Sequence, residues 1–406
     1  MKVLINFIPG IARLFAAIVP ILLLFFYTKT ASLEQVGLVG YFISLITILG
    51  VLTDFGLPEA AQRFIPQSNN KKETIGQILF TEIIVVVLGM LLFTVSDVIS
   101  DGEISKGYFA MLLIVFFFSI SNVVLVIFNG LNYKNRLTAY FFASAVTFFA
   151  ISAITFLFFD FSAVNSFFIG RLISWVIFTI LPLVDLYRLN LLAFSFNIPK
   201  KFLKFAFNIF TASFAYVLFT QWDSIVVTQL GSAKENGIYK PVEFLASLPL
   251  ALRVILETKL LPEFSEIEGK GDFLTLKNKT LFYTKALSAL SIIVTIIAIP
   301  FTHFGLSIFY NTEIADEGSL IFVLTLIGTF LYILSIPATT ALQALNKEHK
   351  IRNAATVQSA IFLIFATILF IPLGTVFLPI LLVITCGGYF AYTFASVLSI
   401  FTEKLK

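Results

Sequence analysis

Two histidines, His303 and His349, and a single cysteine, Cys386, are scattered over 406 residues. A Ser-His-Asp triad or a His- or Cys-based zinc centre needs several such groups converging, so neither is expected. One cysteine rules out a disulfide within the chain. The chemistry must come from ionisable side chains set in long apolar runs: Arg13, Asp54, Glu82, Arg171, Asp223, Lys240, Glu243, Arg253 and Glu257. A charge near a bilayer centre costs about 2.5–3.5 kcal/mol on insertion scales, so each such residue is a functional candidate. A guanidinium can hold two oxygens of a diphosphate or an acidic sugar. A carboxylate can titrate, bind a coupling ion or accept from sugar hydroxyls.

Arg13 lies ten residues into its run, about 15 Å deep at 1.5 Å per residue, and either contacts an anion or ion-pairs between helices. Arg171 lies about 12 Å deep with the same two readings. Arg253 and Glu257, four apart, share a helix face and partly compensate each other. Asp223 follows Gln221 and Trp222. There Trp222 either stacks on a sugar or anchors at the interface beside a solvated aspartate. Lys240 is expected to snorkel to the outer interface. Asp54 precedes Phe55-Gly56-Leu57-Pro58 and is a gate residue or the cap of a broken helix. Glu82 has no partner near in sequence and is a coupling candidate. Asn122 and Gln343 are the further polar candidates.

The elements that position these groups follow from composition. Hydrophobic residues make up 59% and charged residues 12%, against about 45–50% and about 25% in soluble domains. With 49 phenylalanines, the chain reads as a polytopic helical membrane protein, not a soluble enzyme, a disordered chain or a coiled coil. Its net charge of +4 is no nucleic-acid signature. The apolar run at 3–27 exceeds a signal-peptide core of about 7–15 residues and reads as the first span.

Twelve segments are long enough to cross: roughly 3–28, 36–61, 75–96, 107–131, 138–159, 163–187, 204–230, 238–261, 281–303, 317–344, 354–373 and 376–401. The longest connections, 188–203 and 262–280, mix basic and apolar residues and suit short interfacial helices. Alternate loops carry the basic residues, among them Arg63, Lys71, Lys72, Lys134, Arg136, Arg188, Lys200, Lys201, Lys204, Lys277, Lys279, Lys347 and Arg352. The opposite loops carry Lys29, Lys106 and Lys234. The positive-inside rule then supports twelve helices with both termini cytoplasmic.

An internal echo runs through the chain. Thr28, Ser32 and Gly37 after helix 1 match Thr228, Ser232 and Gly237 after helix 7. Phe128-Asn-Gly-Leu131-Asn132 after helix 4 matches Leu342-Gln-Ala-Leu345-Asn346 after helix 10. A six-helix offset is even, so the halves run parallel, a common transporter plan. The expected division is an N-terminal lobe at 1–190, a basic linker at 191–203 and a C-terminal lobe at 204–406.

These segments carry a family resemblance. Ser32-Leu-Glu-Gln-Val-Gly37-Leu-Val-Gly40-Tyr41 with Asp54-Phe-Gly56-Leu57, Trp222-Asp223-Ser-Ile-Val-Val with Asn236-Gly237-Ile-Tyr239, and Leu342-Gln343-Ala-Leu345-Asn346-Lys347 resemble the polysaccharide and O-antigen (Wzx-type) flippases. The resemblance implies the multidrug/oligosaccharidyl-lipid/polysaccharide (MOP) superfamily, with two six-helix lobes around a V-shaped central cavity lined by helices 1, 2, 7 and 8. It implies outward movement of undecaprenyl-diphosphate-linked oligosaccharide by alternating access, driven by H+ or Na+, with no other cofactor. On that reading Arg13, Arg171, Arg253, Asn122, Gln221, Trp222 and Gln343 are substrate-cavity candidates. Asp223, Asp54, Glu82 and Glu257 are coupling or gating candidates. The expected setting is a bacterial-type inner membrane. The expected partners are the lipid-linked glycan, the bilayer and polysaccharide-assembly proteins, and the expected state is a monomer. The alternatives are a cation-coupled multidrug exporter of the same superfamily, a membrane polymerase or glycosyltransferase, and a non-transporting scaffold. Short outer loops and the absence of an Asp-x-Asp motif count against an enzyme.

Overall fold

The computed structural model describes residues 18–99, 108–193, 195 and 200–405. Among them every regular element is a helix: α1 (Ile18–Thr30), α2 (Leu33–Asp54), α3 (Leu57–Gln67), α4 (Lys71–Ile99), α5 (Tyr108–Gly130), α6 (Lys134–Phe158) and α7 (Ala163–Arg188) lead. They are followed by α8 (Lys200–Val226), α9 (Ala233–Ser247), α10 (Ala251–Gly269), α11 (Phe273–Phe309), α12 (Thr312–Leu334), α13 (Ile336–Ala344), α14 (Glu348–Leu373) and α15 (Phe377–Lys404). Ten spans among the described residues are long and apolar enough to cross a membrane. Their outward faces are apolar: Ile368 and Ile371 of α14 are 64% and 74% exposed, the reverse of a soluble surface. Inside the spans, hydroxyls such as those of Thr280, Thr284, Thr385 and Thr393 donate to carbonyls four residues back, which satisfies them without water.

Three of the expected spans are broken, the first at the helix end for which Asp54 is a cap candidate. Helix 2 stops at Asp54 and restarts at Leu57, through Phe55 and Gly56 in left-handed backbone (φ 47° and 72°). Gly56 is needed twice over, because a Cβ there would sit 2.3 Å from the Ala206 carbonyl oxygen of α8. The helix expected at 238–261 is α9 and α10, separated by the 3-10 turn Leu248–Leu250. The one at 317–344 is α12 and α13, separated at Ser335. Pro249 and Pro337 lack the N–H that would continue the helix and crowd the carbonyl four residues back. The connection expected at 262–280, suited in sequence to short interfacial helices, is mostly helix continuous with its neighbouring spans. α10 runs to Gly269, a tight turn follows, and α11 extends for 37 residues, about 56 Å at 1.5 Å per residue, far beyond a bilayer core of about 30 Å.

The chain forms two compact units. One comprises 1–27 and 42–217, the other 28–41 and 218–406. The first is cored by Leu57, Ala61 and Ile65 of α3, Ile75 and Ile78 of α4, Ile120 and residues 123–128 of α5, and Phe202 and Ala206 of α8. The second is cored by Leu260 and Phe264 of α10, Leu276 of α11, Phe330 and Ile333 of α12, Leu342 of α13 and Phe401 of α15. Two helices, α2 and α8, begin in one unit and end in the other.

The two sequence echoes have structural counterparts of unequal weight. Ser32 and Ser232 both cap a helix, accepting from the N–H of Gln35 and Glu235 respectively. The two helix starts also meet, both within the second unit. A Cβ on Gly37 would lie 1.7 Å from the Ala233 carbonyl oxygen, and one on Gly237 would lie 1.9 Å from that of Leu33. Residues 33 and 37 thus meet 237 and 233 reciprocally, and only glycine permits the approach. The second echo is a Schellman turn with a left-handed asparagine, Asn132 or Asn346, in both copies. The same turn closes α7 at Asn190 and α10 at Gly271, so it marks a common helix end more than a repeat.

Candidate functional site

In the first unit the break after α2 buries Asp54, 7% exposed, at the last residue of the helix. Asn122 of α5 donates to its Oδ2, and Oδ1 has no hydrogen-bond partner. Glu82 of α4 is fully buried, with neither carboxylate oxygen hydrogen-bonded, and feels the Asp54 charge directly. The neighbouring hydroxyls of Thr53 and Ser119 bond to each other. An apolar cavity of about 510 Å³ opens on the same three helices, lined by Leu49, Thr53, Phe55, Val85 and Met111, with Phe210 of α8.

Also in this unit, Arg171 of α7 sits among aromatic rings, its guanidinium carbon 3.8 Å from the Phe148 centroid, 5.0 Å from Trp175 and 5.7 Å from Phe167. Cation–π contact stabilises a desolvated guanidinium. No acidic partner faces it among the described residues, so the ion pair considered from sequence is not what holds it. Its fork of N–H donors remains suited to an anion.

The second unit holds a compact polar network that sequence reasoning resolved only in part. Asp223, 5% exposed, accepts from Tyr239 Oη at 2.7 Å and from the Ser224 N–H at 2.7 Å. It is not a solvated interfacial aspartate. Lys240 is fully buried instead of snorkelling. Its Nζ lies 2.7 Å from Glu243, donates to Gln221 at 3.3 Å, and is 4.7 Å from the Phe244 ring. Asn236 joins Ser224 to the Gly37 carbonyl, and Gln229 donates to the Tyr41 hydroxyl. Asn236 and Tyr239 lay in the quoted family segment. Their signal was a polar side chain and a tyrosine within two residues of Gly237, on a helix whose residues 236–242 are all buried. Directly after α8 the backbone widens to a π-turn at Val227–Gly231, a distortion common near functional sites.

Arg253 pairs with Glu257 at 2.8 Å, donates to the Tyr332 hydroxyl and lies 5.2 Å from that ring. Trp222 Nε1 donates to Thr367 at 2.9 Å. Gln343 is half-buried in the terminal turn of α13. Arg13 lies outside the described residues. Arg171, Asn122, Asp54 and Glu82 therefore belong to the first unit, and Gln221, Trp222, Asp223, Arg253, Glu257 and Gln343 to the second. Among the described residues no three His, Cys, Asp or Glu side chains converge as a metal site.

Apolar outer faces around buried, partly unsatisfied ionisable groups define a polytopic helical membrane protein with a polar interior. The chain belongs to the polysaccharide biosynthesis protein family, which matches residues 7–268. Its fold is that of the MOP superfamily. An inward-facing multidrug resistance MATE family transporter of that superfamily superposes with a TM-score of 0.74 at 14% identity over 95% of both chains. A MOP superfamily transporter from Pyrococcus furiosus, reported to have a binding pocket of reverse polarity, gives 0.67 at 14% over 98% of this chain and 96% of its own. An outward-facing MATE family transporter gives 0.62 at 14% over 98% and 95%. No match is found among curated protein sequences.

Proposed function

We propose that this protein is a flippase that carries a lipid-diphosphate-linked oligosaccharide across the membrane by alternating access. The observation that carries this reading is Arg171, a guanidinium inside a span with aromatic rings around it and no acidic partner among the described residues. A diphosphate stripped of water would face a prohibitive barrier in hydrocarbon, and an uncompensated arginine lowers it. Membership in a polysaccharide biosynthesis family supports the cargo, and the transporter fold supports movement without bond making or breaking. The neighbouring rings offer flat apolar surface for sugar faces. Arg253 is neutralised by Glu257 and contributes less net charge. Gln221, Trp222 and Gln343 are the polar and stacking candidates of the second unit, and Arg13 remains a cationic candidate of the first helix.

The same reading groups the helices into twelve spans, with α2–α3, α9–α10 and α12–α13 each crossing once as a broken helix. Two six-helix halves in parallel repeat are supported by the equivalent serine caps at Ser32 and Ser232 and by the reciprocal contact of residues 33–37 with 233–237. The basic loops support a topology with both termini in the cytoplasm, in a bacterial-type inner membrane. Asp223 and Glu257 are further coupling or gating candidates, and the working unit is a monomer that meets polysaccharide-assembly proteins. A multidrug exporter is the second reading, favoured by the MATE fold neighbours. Replacing Arg171 by alanine in a cell that depends on this protein for surface polysaccharide separates the two. Loss of surface glycan at unchanged protein level is expected. Normal glycan would remove Arg171 from the mechanism, and drug resistance conferred by the wild type without any glycan effect would favour the exporter.

A further inference from the structure

The anion site does not use the buried carboxylates of the first unit. Asp54 ends α2, where the helix dipole places about half a negative charge. Glu82 faces it from α4, fully buried, with both oxygens lacking donors. The groups that α5 turns toward Asp54 are Asn122, which donates to Oδ2, and Ser119, whose hydroxyl bonds Thr53. On α3 the exposed Glu59 adds a further negative charge to the surroundings of Asp54. Among the described residues, the charges that act on the pair are negative. Two buried carboxyls, three of whose four oxygens have no hydrogen-bond donor, cannot both stay ionised in a low-dielectric site without a cation.

We propose that Asp54 and Glu82 together form a binding site for one proton, and that this is the coupling site of the transporter. A proton on the pair removes one of its two negative charges. It is retained while the site is dry and given up to the opposite aqueous phase when water reaches the carboxyls, so one proton enters and one leaves per cycle. A sodium ion is a poorer occupant. It needs several oxygen ligands, and the Thr53 and Ser119 hydroxyls are engaged with each other and with the Leu49 and Gly50 carbonyls. Asp54 also adjoins the Phe55–Gly56 break, the point at which α2 changes direction, so its charge state bears directly on a hinge-like element. The coupling role rests on the flippase reading; the proton site does not.

The test uses the purified full-length protein and pH alone as the probe. Infrared difference spectra across a pH step are expected to show the carbonyl stretch of a buried protonated carboxylic acid. That band should be lost in the D54N/E82Q double variant, and its titration midpoint should move in each single variant. E82D, which keeps a carboxyl, should retain the band and serves as the folded control. A band unchanged in the double variant, or its absence in the wild type, overturns the site. Displacement of the bound proton by added sodium at constant pH overturns the choice of ion. In cells, surface glycan should be lost in the double variant at unchanged protein level, and normal glycan there would overturn the coupling role. If the wild type shows the band but supports no glycan export, the proton site stands and the flippase reading falls.

Discussion

Side chains that a sequence ranks alike separate once their partners are known. Arg253 is neutralised by Glu257, whereas Arg171 is held by π faces and keeps its charge available. Lys240 and Asp223 belong to one buried network in which Tyr239 supplies a hydrogen bond that nothing else replaces. Removing that hydroxyl with Tyr239→Phe leaves an Asp223 oxygen buried and short of a donor, a loss of about 1–3 kcal/mol. Thermal unfolding of the detergent-solubilised variant should show the lower midpoint. A Tyr140→Phe change, whose partner Asp185 also accepts from Arg136, should cost less.

At the scale of elements, the breaks in the spans matter more than their lengths. The turn at Phe55–Gly56 lets α8 cross within van der Waals reach, and Phe55 stacks on Phe210, which stacks in turn on Phe214. Gly56→Ala adds about 1–2 kcal/mol of left-handed strain and forces the Ala206 backbone to shift. We expect a destabilised protein with reduced export. An alanine variant with wild-type melting and wild-type export would show that neither the left-handed backbone nor the close crossing is required. Gly269, where a Cβ meets nothing within 4 Å, is the matched control.

Across the whole molecule, residues 28–41 are tied to the second unit although their chain neighbours on both sides belong to the first. Lys29 donates to the Ile308 carbonyl, Asn236 to that of Gly37, and Gln229 to Tyr41. On the proposed alternating-access cycle, contacts of this kind part as the helices repack. Cysteines at Tyr41 and Gln229, in a Cys386→Ser background, should be joined by a reducible bifunctional thiol reagent. Export should stop when they are joined and return on reduction. Undiminished export by the joined protein would mean that this contact stays closed throughout.

Membrane class, helix period and the basic-loop alternation were legible in the sequence because they are one-dimensional. A bilayer imposes an apolar length on each span, and loop charge is read along the chain. The candidate charges were legible for the same reason, since an ionisable residue in an apolar run stands out by its cost. The Pro249 and Pro337 breaks carried a local signal that the apolar windows overrode. Partners were not legible. Whether Arg171 meets an acid or an aromatic ring, whether Lys240 reaches water, and whether Glu82 finds Asp54 all depend on helices far apart in sequence. Hydrogen bonds and ion pairs act over a few ångströms between side chains whose rotation about each helix is fixed only by packing, so the tertiary structure alone decided them.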